Sequence, residues 1–350
     1  MPASSPGQQR ARRTTKRRPR ISGIVPVYNG RAFLRAAVDS ALNQDYPLHE
    51  LIVVDDGSTD DSLSVLEDLR SPVPVHILRQ ANAGQSAARN NGAHHAQGDY
   101  LAFLDQDDLW YADHLTHLIR PMLKDSRIGW AYSDLDEVDV HGGIVTKRFL
   151  STLGTQHPKR NLISLLSYDM FVLPSASLIR KDAFLAVSGF DEQLSGYEDD
   201  DLFLRLFRAG YRNVFLKRAL SQWRIYPTSS SYTPRMSRSR RVYGDKLVAS
   251  FPDNLRMHRH YVRDCIAPRF TRAFIVEYIE ATLQTDWPRA RSAYEQAAHF
   301  ARFCRKSTLQ KAKFAAIREP RLLHYALRIV RQLPTGVRQK LAGAVHGYVD

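Results

Sequence analysis

Between residues 21 and 108 the chain alternates short apolar runs with helically spaced ones, and each strand-like run ends in a polar cluster. Residues 21–27 form an apolar-rich run closed by Tyr28-Asn29-Gly30, the pattern of a buried strand and a turn. Phe33, Leu34, Ala37, Val38, Ala41 and Leu42 then recur at helical spacing until Tyr46-Pro47. Residues 51–54 read as a second strand, ending at Asp55-Asp56-Gly57-Ser58. Ser58, Thr59 and Asp60 can cap a helix carrying Leu63, Leu66 and Leu69. Residues 73–78 read as a strand, 85–96 as a helix of small residues, and 100–104 as a strand running into Asp105. This alternation with short links predicts an α/β fold, a mostly parallel central sheet flanked by helices. Ligands of such sheets bind beyond the carboxyl ends of the strands. Tyr28-Asn29, Asp55-Asp56 and Asp105-Gln106-Asp107-Asp108 all fall there.

Further along, Leu115, Leu118, Ile119 and Met122 mark a helix, and Trp130-Ala131-Tyr132 a strand. Residues 135–169 are mixed and polar, with a turn at Gly142-Gly143. A strand over 175–179 and a short helix over 181–187 follow. Leu202, Phe203, Leu206 and Phe207 make a helical face that stops at Gly210. From Ser229-Ser230-Ser231 to Arg241 the chain is rich in Arg and Ser and reads as a linker or loop. Helical segments follow, carrying Tyr278, Leu283, Tyr294, Phe300, Leu322, Leu323, Leu327 and Val330. The organisation expected is a disordered basic tail over 1–20, a catalytic domain over 21–228, and a linker with a helical basic region over 229–350.

The formal charge of +14 is unevenly placed. Seven of the basic residues lie in residues 1–20 with no acid, and eleven lie between Arg302 and Lys340 with only Glu319 opposing them. That points to anionic partners for the ends. Over 318–340 the basic residues Arg321, Arg328, Arg331, Arg338 and Lys340 alternate with apolar ones, which suits an anionic membrane surface. No run approaches the roughly 18 apolar residues of a spanning helix. The basic N-terminus lacks the apolar stretch of a secretory signal. The expectation is a cytoplasmic protein, with two readings of the basic C-terminal segment: a peripheral contact with the cytoplasmic face of a membrane, or a helix packed on the catalytic domain with a solvated basic face. The two cysteines provide neither a disulfide framework nor a metal spacing.

Four segments carry candidate chemistry. Asp105, Asp107 and Asp108 crowd carboxylates into four residues, which repel unless a cation is shared; oxygen ligands suit magnesium or manganese, and such an ion bridges a diphosphate. A polar turn capping a helix explains the same residues more simply. Asp55-Asp56 can accept from a base or ribose, or form only an Asx turn. Residues 82–92 combine small residues, including Gly84, with Arg89, which can reach a phosphate or pack along a helix. Glu198, Asp199, Asp200 and Asp201 open a helix. The helix dipole favours acids there by about 0.3–1 kcal/mol each. Four in a row exceed what capping needs, and their repulsion can raise one pKa toward that of a general base. The histidines form no ligand pattern.

Taken in order, these residues resemble the family 2 inverting glycosyltransferases. The matching segments are Val25-Pro-Val-Tyr-Asn29, Asp55-Asp-Gly-Ser58, residues 82–90, residues 98–108, and Gly189-Phe-Asp-Glu192 through Glu198-Asp199 to Arg205. The resemblance spans about residues 21–226 and implies a GT-A fold. It implies transfer of a sugar from a nucleotide-diphosphate donor to a hydroxyl of a glycan, lipid-linked or other acceptor, as in polysaccharide biosynthesis, by metal-assisted single displacement with inversion. Pro26, Val27, Tyr28, Asn29, Asp55, Asp56, Gly84, Arg89, Asp105 and Gln106 would hold the donor. Asp107, with Asp105 or Asp108, would hold a divalent cation, manganese or magnesium. Asp199 would be the base, with Glu198 beside it. Asp56, Asp107 and Asp199 should then line one cleft.

Two departures stand out. Gln222-Trp223-Arg224 does not reproduce the Gln-x-x-Arg-Trp of processive members, which argues for a non-processive enzyme. Tyr226 stands where many non-processive members have the His of Tyr-Arg-x-His. A nucleotidyltransferase is the alternative enzyme, disfavoured by the lack of a Gly-rich triphosphate loop near the N-terminus. Anion or nucleic-acid binding through the basic ends is the non-enzymatic alternative, and the acidic clusters argue against nucleic acid at the core.

Overall fold

The structure is a computed structural model that describes residues 18–226, 234–305, 318–321 and 323–325. The first half of the sheet follows the alternation of the sequence. Strands β1 (Ile21–Val27), β2 (Glu50–Asp55), β3 (Val75–Arg79) and β4 (Tyr100–Phe103) pair in parallel in the order β3-β2-β1-β4. Helices α1 (Leu34–Leu42) and α2 (Gln85–His95) lie among the connections. Each strand sends alternate side chains into two separate cores. Ile24, Ile52, Val54, Leu101 and Phe103 enter one, while Ile21, Val25, Leu51, Val53 and Ala102 enter the other. That two-sided burial is why the runs are continuously apolar rather than alternating. α2 is pressed against the sheet at Gly92, where a Cβ would stand 2.6 Å from Ile24 Cγ2.

The second half is mixed. β5 (Leu109–Trp110), α3 (His114–Lys124), β6 (Ile128–Val138), β7 (Ile144–Thr146), α4 (Phe149–Thr152), α5 (Leu162–Ser167), β8 (Ser177–Arg180), α6 (Lys181–Ala186), α7 (Glu198–Arg208) and β9 (Arg212–Arg224) follow in turn. The sheet continues β4-β8-β6-β9-β5, with β8 antiparallel to both neighbours and β6 parallel to β9. β7 folds back on β6 through the expected Gly142-Gly143 turn.

Several elements differ from the sequence reading. The helix expected after Ser58 is a five-residue 3-10 turn, Ser62–Leu66. Its expected capping groups are spent on the β1–α1 turn: Asn29 N–H donates to Ser58 Oγ (3.0 Å), and Thr59 N–H to Asn29 Oδ1 (2.8 Å). β6 runs well past Trp130-Ala131-Tyr132. Its polar continuation holds because Asp134 and Asp136 accept the backbone N–H groups of Leu150 and Arg148 at 2.8 Å. β9 was not legible, because Lys217 and Arg218 interrupt its apolar pattern. The Arg/Ser-rich stretch read as a linker belongs largely to a helix, α8 (Pro234–Ser250). Two of its four arginines are paired, Arg240 with Glu277 at 2.7 Å and Arg241 with Asp245 at 2.6 Å, while Arg235 and Arg238 are exposed.

Two further helices, α9 (Ala267–Leu283) and α10 (Trp287–Ala301), pack on α8 and α7. Tyr243, Phe270, Phe274 and Phe300 join Leu202 and Phe203 in one apolar cluster. Among the described residues no helix is long and apolar enough to cross a membrane. The basic tail over residues 1–17, Ser229-Ser230-Ser231 and most of the basic 318–340 segment lie outside the described residues.

Gly92→Ala tests the α2–sheet contact through the sign of its effect. Helix propensity alone would stabilise the variant by about 1 kcal/mol. Overpacking against Ile24 costs about 1–3 kcal/mol, so the urea midpoint should fall. A rise would show that α2 does not press on the sheet this closely.

Candidate active site

The carboxyl ends of β1, β2 and β4 are level. Val27 pairs with Asp55, and Leu104 N–H donates to Ile24 O at 2.9 Å, so residues 28, 56 and 105–107 emerge side by side. They open on a cavity of about 450 Å³ lined by Pro26, Val27, Tyr28, Asn29, Asp56, Gly84, Gln85, Asp105, Gln106 and Asp107, with Phe33, Tyr226 and Arg235 among the others.

Each predicted residue has a definite place. Asp56 is buried, and its carboxylate collects the loop before α2. Oδ1 accepts from Ala83 N–H (2.8 Å) and Gln80 Nε2 (2.7 Å), and Oδ2 accepts from Gly84 N–H (2.8 Å). Gly84 presents that N–H from a φ of +94°, a conformation that favours glycine. Asp55 instead accepts Ser58 N–H at 3.0 Å and does not line the cavity. Gln106 clasps the Tyr28 backbone, accepting its N–H at 2.9 Å and donating to its carbonyl at 3.1 Å. Asn29 turns at a φ of +50°.

The acidic cluster divides by direction. Asp107 faces the cavity and accepts the Tyr226 hydroxyl at 2.8 Å. Burial and then Asp105 push its pKa up, while Tyr226 pulls it down. Asp105 reaches the cavity edge but binds Arg89 Nη2 at 2.5 Å. Asp108 is buried away from the cavity and accepts Arg224 N–H at 3.0 Å. Burial, then Asp107 and Asp105, hold its carboxyl well above the ordinary range. Of the two carboxylates expected to join Asp107 at a cation, Asp105 lines the cavity and Asp108 does not. No group of three or more acidic, His or Cys side chains comes together as a metal cage among the described residues.

Arg89 does not line the cavity either. It is 2% exposed, and its other amino group donates to Glu198 Oε1 at 2.9 Å. Burial works against its charge, but Asp105 and Glu198 outweigh burial and raise its pKa. Gln85, a cavity residue, also donates to Glu198 Oε1. The floor of the cavity is thus joined to the first turn of α7.

That turn holds four acids, and three of them meet cations. Glu198 takes Arg89; Asp200 takes Arg269 from α9; Asp201 takes Arg205 at 2.7 Å and Lys246 of α8 at 2.7 Å. Asp199 has no cation, and its one hydrogen bond among the described residues is Asp200 N–H to Oδ1 at 2.8 Å. Burial, then Glu198 and Asp200, hold its pKa well above the usual carboxylate value. Asp200 is itself pushed up to about 6, chiefly by burial. The expectation that Asp56, Asp107 and Asp199 line one cleft is met for Asp56 and Asp107 only; Asp199 stands outside the cavity lining, next in sequence to the Glu198 that Gln85 and Arg89 hold.

Sequence reading missed four contributors. Arg224 donates to the Asp107 carbonyl at 3.0 Å, with its guanidinium 4.8 Å from the centre of the Phe33 ring. Gln80 and Gln85 hold two of the carboxylates. Arg235 lines the cavity from α8, and its Arg/Ser-rich surroundings gave no signal.

A mixed sheet carrying an acidic cavity at its strand ends is the architecture of the GT-A-type transferases. Residues 22–185 match the family model described as Glycosyl transferase family 2. Relatives include an uncharacterized glycosyltransferase of Rickettsia bellii, 33% identical over 192 residues, 54% of this chain and 28% of that protein. The chondroitin synthase of Escherichia coli is 28% identical over 198 residues, 56% of this chain and 28% of that one. The putative teichuronic acid biosynthesis glycosyltransferase TuaG of Bacillus subtilis is 38% identical over 114 residues, 32% and 45% of the two chains. The match spans less than half the length of each of these three relatives. Among solved structures, S. aureus TarS 1-349 in complex with UDP-GlcNAc superposes with a TM-score of 0.58 at 18% identity, over 80% of this chain and 81% of that one. The mannosyltransferase PcManGT from Pyrobaculum calidifontis, in complex with GDP-Man and Mn2+, superposes with a TM-score of 0.56 at 18% identity, over 95% and 86%. At that identity these structures show the fold.

Arg89→Met leaves Asp105 and Glu198 facing each other without a cation. Breaking a buried pair by removing one partner costs about 3–5 kcal/mol. Chemical denaturation should show a loss of that order. A loss below about 1 kcal/mol, the range of exposed pairs, would show that the guanidinium does not bind the two elements together.

Proposed function

We propose that the protein transfers a sugar from a nucleotide-diphosphate donor to an acceptor hydroxyl by a single displacement with inversion, with Asp199 as the base. The observation that carries the reading is the isolation of Asp199: among the described residues it alone of the four acids of the first α7 turn forms no ion pair, with Arg89 acting on it only as a minor, more distant charge. A carboxylate with a raised pKa and no ion pair is suited to take a proton. Asp199 accepts the acceptor's hydroxyl proton as that oxygen attacks the anomeric carbon. The bond from that carbon to the diphosphate oxygen breaks, and the nucleoside diphosphate leaves with the electron pair. Glu198, fixed by Arg89 and Gln85, holds the turn in place.

The donor occupies the cavity at the strand ends. The Tyr28 backbone, fixed by Gln106, and Asp56 with its loop form the walls for the nucleoside. Asp107, with Asp105 beside it, fits a divalent cation such as magnesium or manganese, because such ions take one or two carboxylates and leave positions for substrate phosphates. Asp108 is not needed in that set. When bound, the cation neutralises charge on the departing diphosphate. Tyr226, in the place where many relatives have His, donates to Asp107 and fixes its orientation. The Mn2+ and GDP-Man of the PcManGT complex support this arrangement, and the names of the chondroitin synthase and TuaG relatives support a glycan acceptor.

Asp199→Asn should lower transfer by about 10²–10⁴-fold, the usual contribution of a general base. Calorimetric donor binding should stay unchanged. Turnover at the wild-type rate rejects the role. A thermal-shift screen of nucleotide sugars should give one class of donor that stabilises the protein, more so with manganese than with a chelator. Pyrophosphate release from a nucleoside triphosphate would instead favour a nucleotidyltransferase.

A further inference from the structure

A second cavity, of about 390 Å³, lies beneath residues 153–170 and contains none of the residues of the donor cavity. Thr155, Gln156, Lys159, Ser164, Tyr168 and Asp169 contribute its polar wall. Lys159 is the unusual member. The residue is 5% exposed, and its main chain is fixed on both sides by the Asn213 amide, at 2.9 and 2.8 Å. Its ammonium has no hydrogen bond and no ion pair among the described residues. Burying an ammonium without a partner is costly, and most proteins pair it. Burial pushes this one down to about 8, with Asp200 opposing the fall, so it still carries its charge at neutral pH.

The nearby acids do not absorb that charge. Asp169 gives its Oδ1 to Arg269, at 3.1 Å from Nε and 2.8 Å from Nη2, and Asp200 also meets Arg269. Arg272 adds a cation 5.8 Å from the centre of the Tyr168 ring. Lys159, Arg269 and Arg272 thus outnumber Asp169 and Asp200 around the space. Tyr168, 53% exposed, offers an aromatic face beside it. The cavity is tied to the α7 turn through one bond: Met170, in its wall, donates its N–H to Asp200 Oδ1 at 3.0 Å, and Asp200 follows Asp199 in sequence.

We propose that this cavity is an acceptor subsite in which Lys159 pairs with an acidic group, a carboxylate or phosphate, carried by the acceptor glycan. The inference rests on the transfer reaction proposed above. An arriving oxyanion supplies the missing partner, the polar wall takes sugar hydroxyls, and Tyr168 covers a ring face. A neutral sugar leaves the ammonium unpaired, so the site discriminates by charge rather than by size.

The test compares binding of methyl glucuronide, methyl glucoside and inorganic phosphate to the full chain, by calorimetry with the wild type, Lys159→Met and Lys159→Arg. The glucuronide should bind about tenfold or more tightly than the glucoside. Lys159→Met should abolish that preference, and Lys159→Arg should keep most of it. Bound glucuronide should also protect Lys159 from reductive methylation, read by mass spectrometry. Equal binding of the two glycosides overturns the proposal, as does a preference that survives Lys159→Met. Binding of phosphate without the glucuronide overturns the acceptor assignment. Nucleotide-sugar binding and donor consumption are followed in the wild type; their absence there would count against the transferase reading itself, separately from the charge preference.

Discussion

One buried guanidinium joins the two halves of the site. Arg89, on the helix after β3, reaches Asp105 at the end of β4 and Glu198 at the start of α7. The guanidinium could not be buried without these two carboxylates, and removing it would leave their charges without a partner. Its fork geometry suits two acceptors at once, which an ammonium would meet less well. The sheet end that forms the donor cavity and the helix that presents Asp199 are held in register by this pairing.

The same logic extends outward. Asp200 and Asp201 would repel Asp199 and each other, yet each is matched by a cation from a different part of the chain, Arg269 from α9 and Lys246 from α8. The helices after residue 234 therefore do more than cover an apolar face. They set the charge around the α7 turn, and Arg240 from α8 donates to the Tyr197 hydroxyl at its cap. The outcome is local contrast: three compensated acids surround one uncompensated acid. Pairs of titratable groups whose environments push their proton affinities apart are the usual sign of assigned acid and base roles.

How much of this was legible depended on which physical signal each residue carried. β1, β2 and β4 are buried on both faces, so their continuous apolar runs were plain in the sequence, as were the polar residues at their ends. β9 and the long β6 were hidden because polar side chains inside them bond to distant backbone, which one-dimensional pattern cannot express. The acids were found, but their directions were not. Asp105, Asp107 and Asp108 look equivalent in sequence, while in space they face Arg89, the cavity and the Arg224 backbone. Likewise the run from Glu198 to Asp201 announced a candidate base and the family resemblance pointed to Asp199, but the pairing of its neighbours with Arg89, Arg269 and Lys246 carried no signal in the sequence. Lys159 carried no sequence signal, since burial without a partner is visible only in three dimensions.

The most direct test of the account is the pH dependence of kcat/KM for sugar transfer. A base must be deprotonated to act, so a raised pKa places the loss of activity at higher pH than for an ordinary carboxylate. The account predicts activity that rises with pH through one ionisation above the ordinary carboxylate value, and an acid limb that moves to lower pH in Glu198→Gln, because Glu198 is one of the charges that hold the proton on Asp199. A rate flat from about pH 4 to 8, or an acid limb that Glu198→Gln leaves in place, would contradict it.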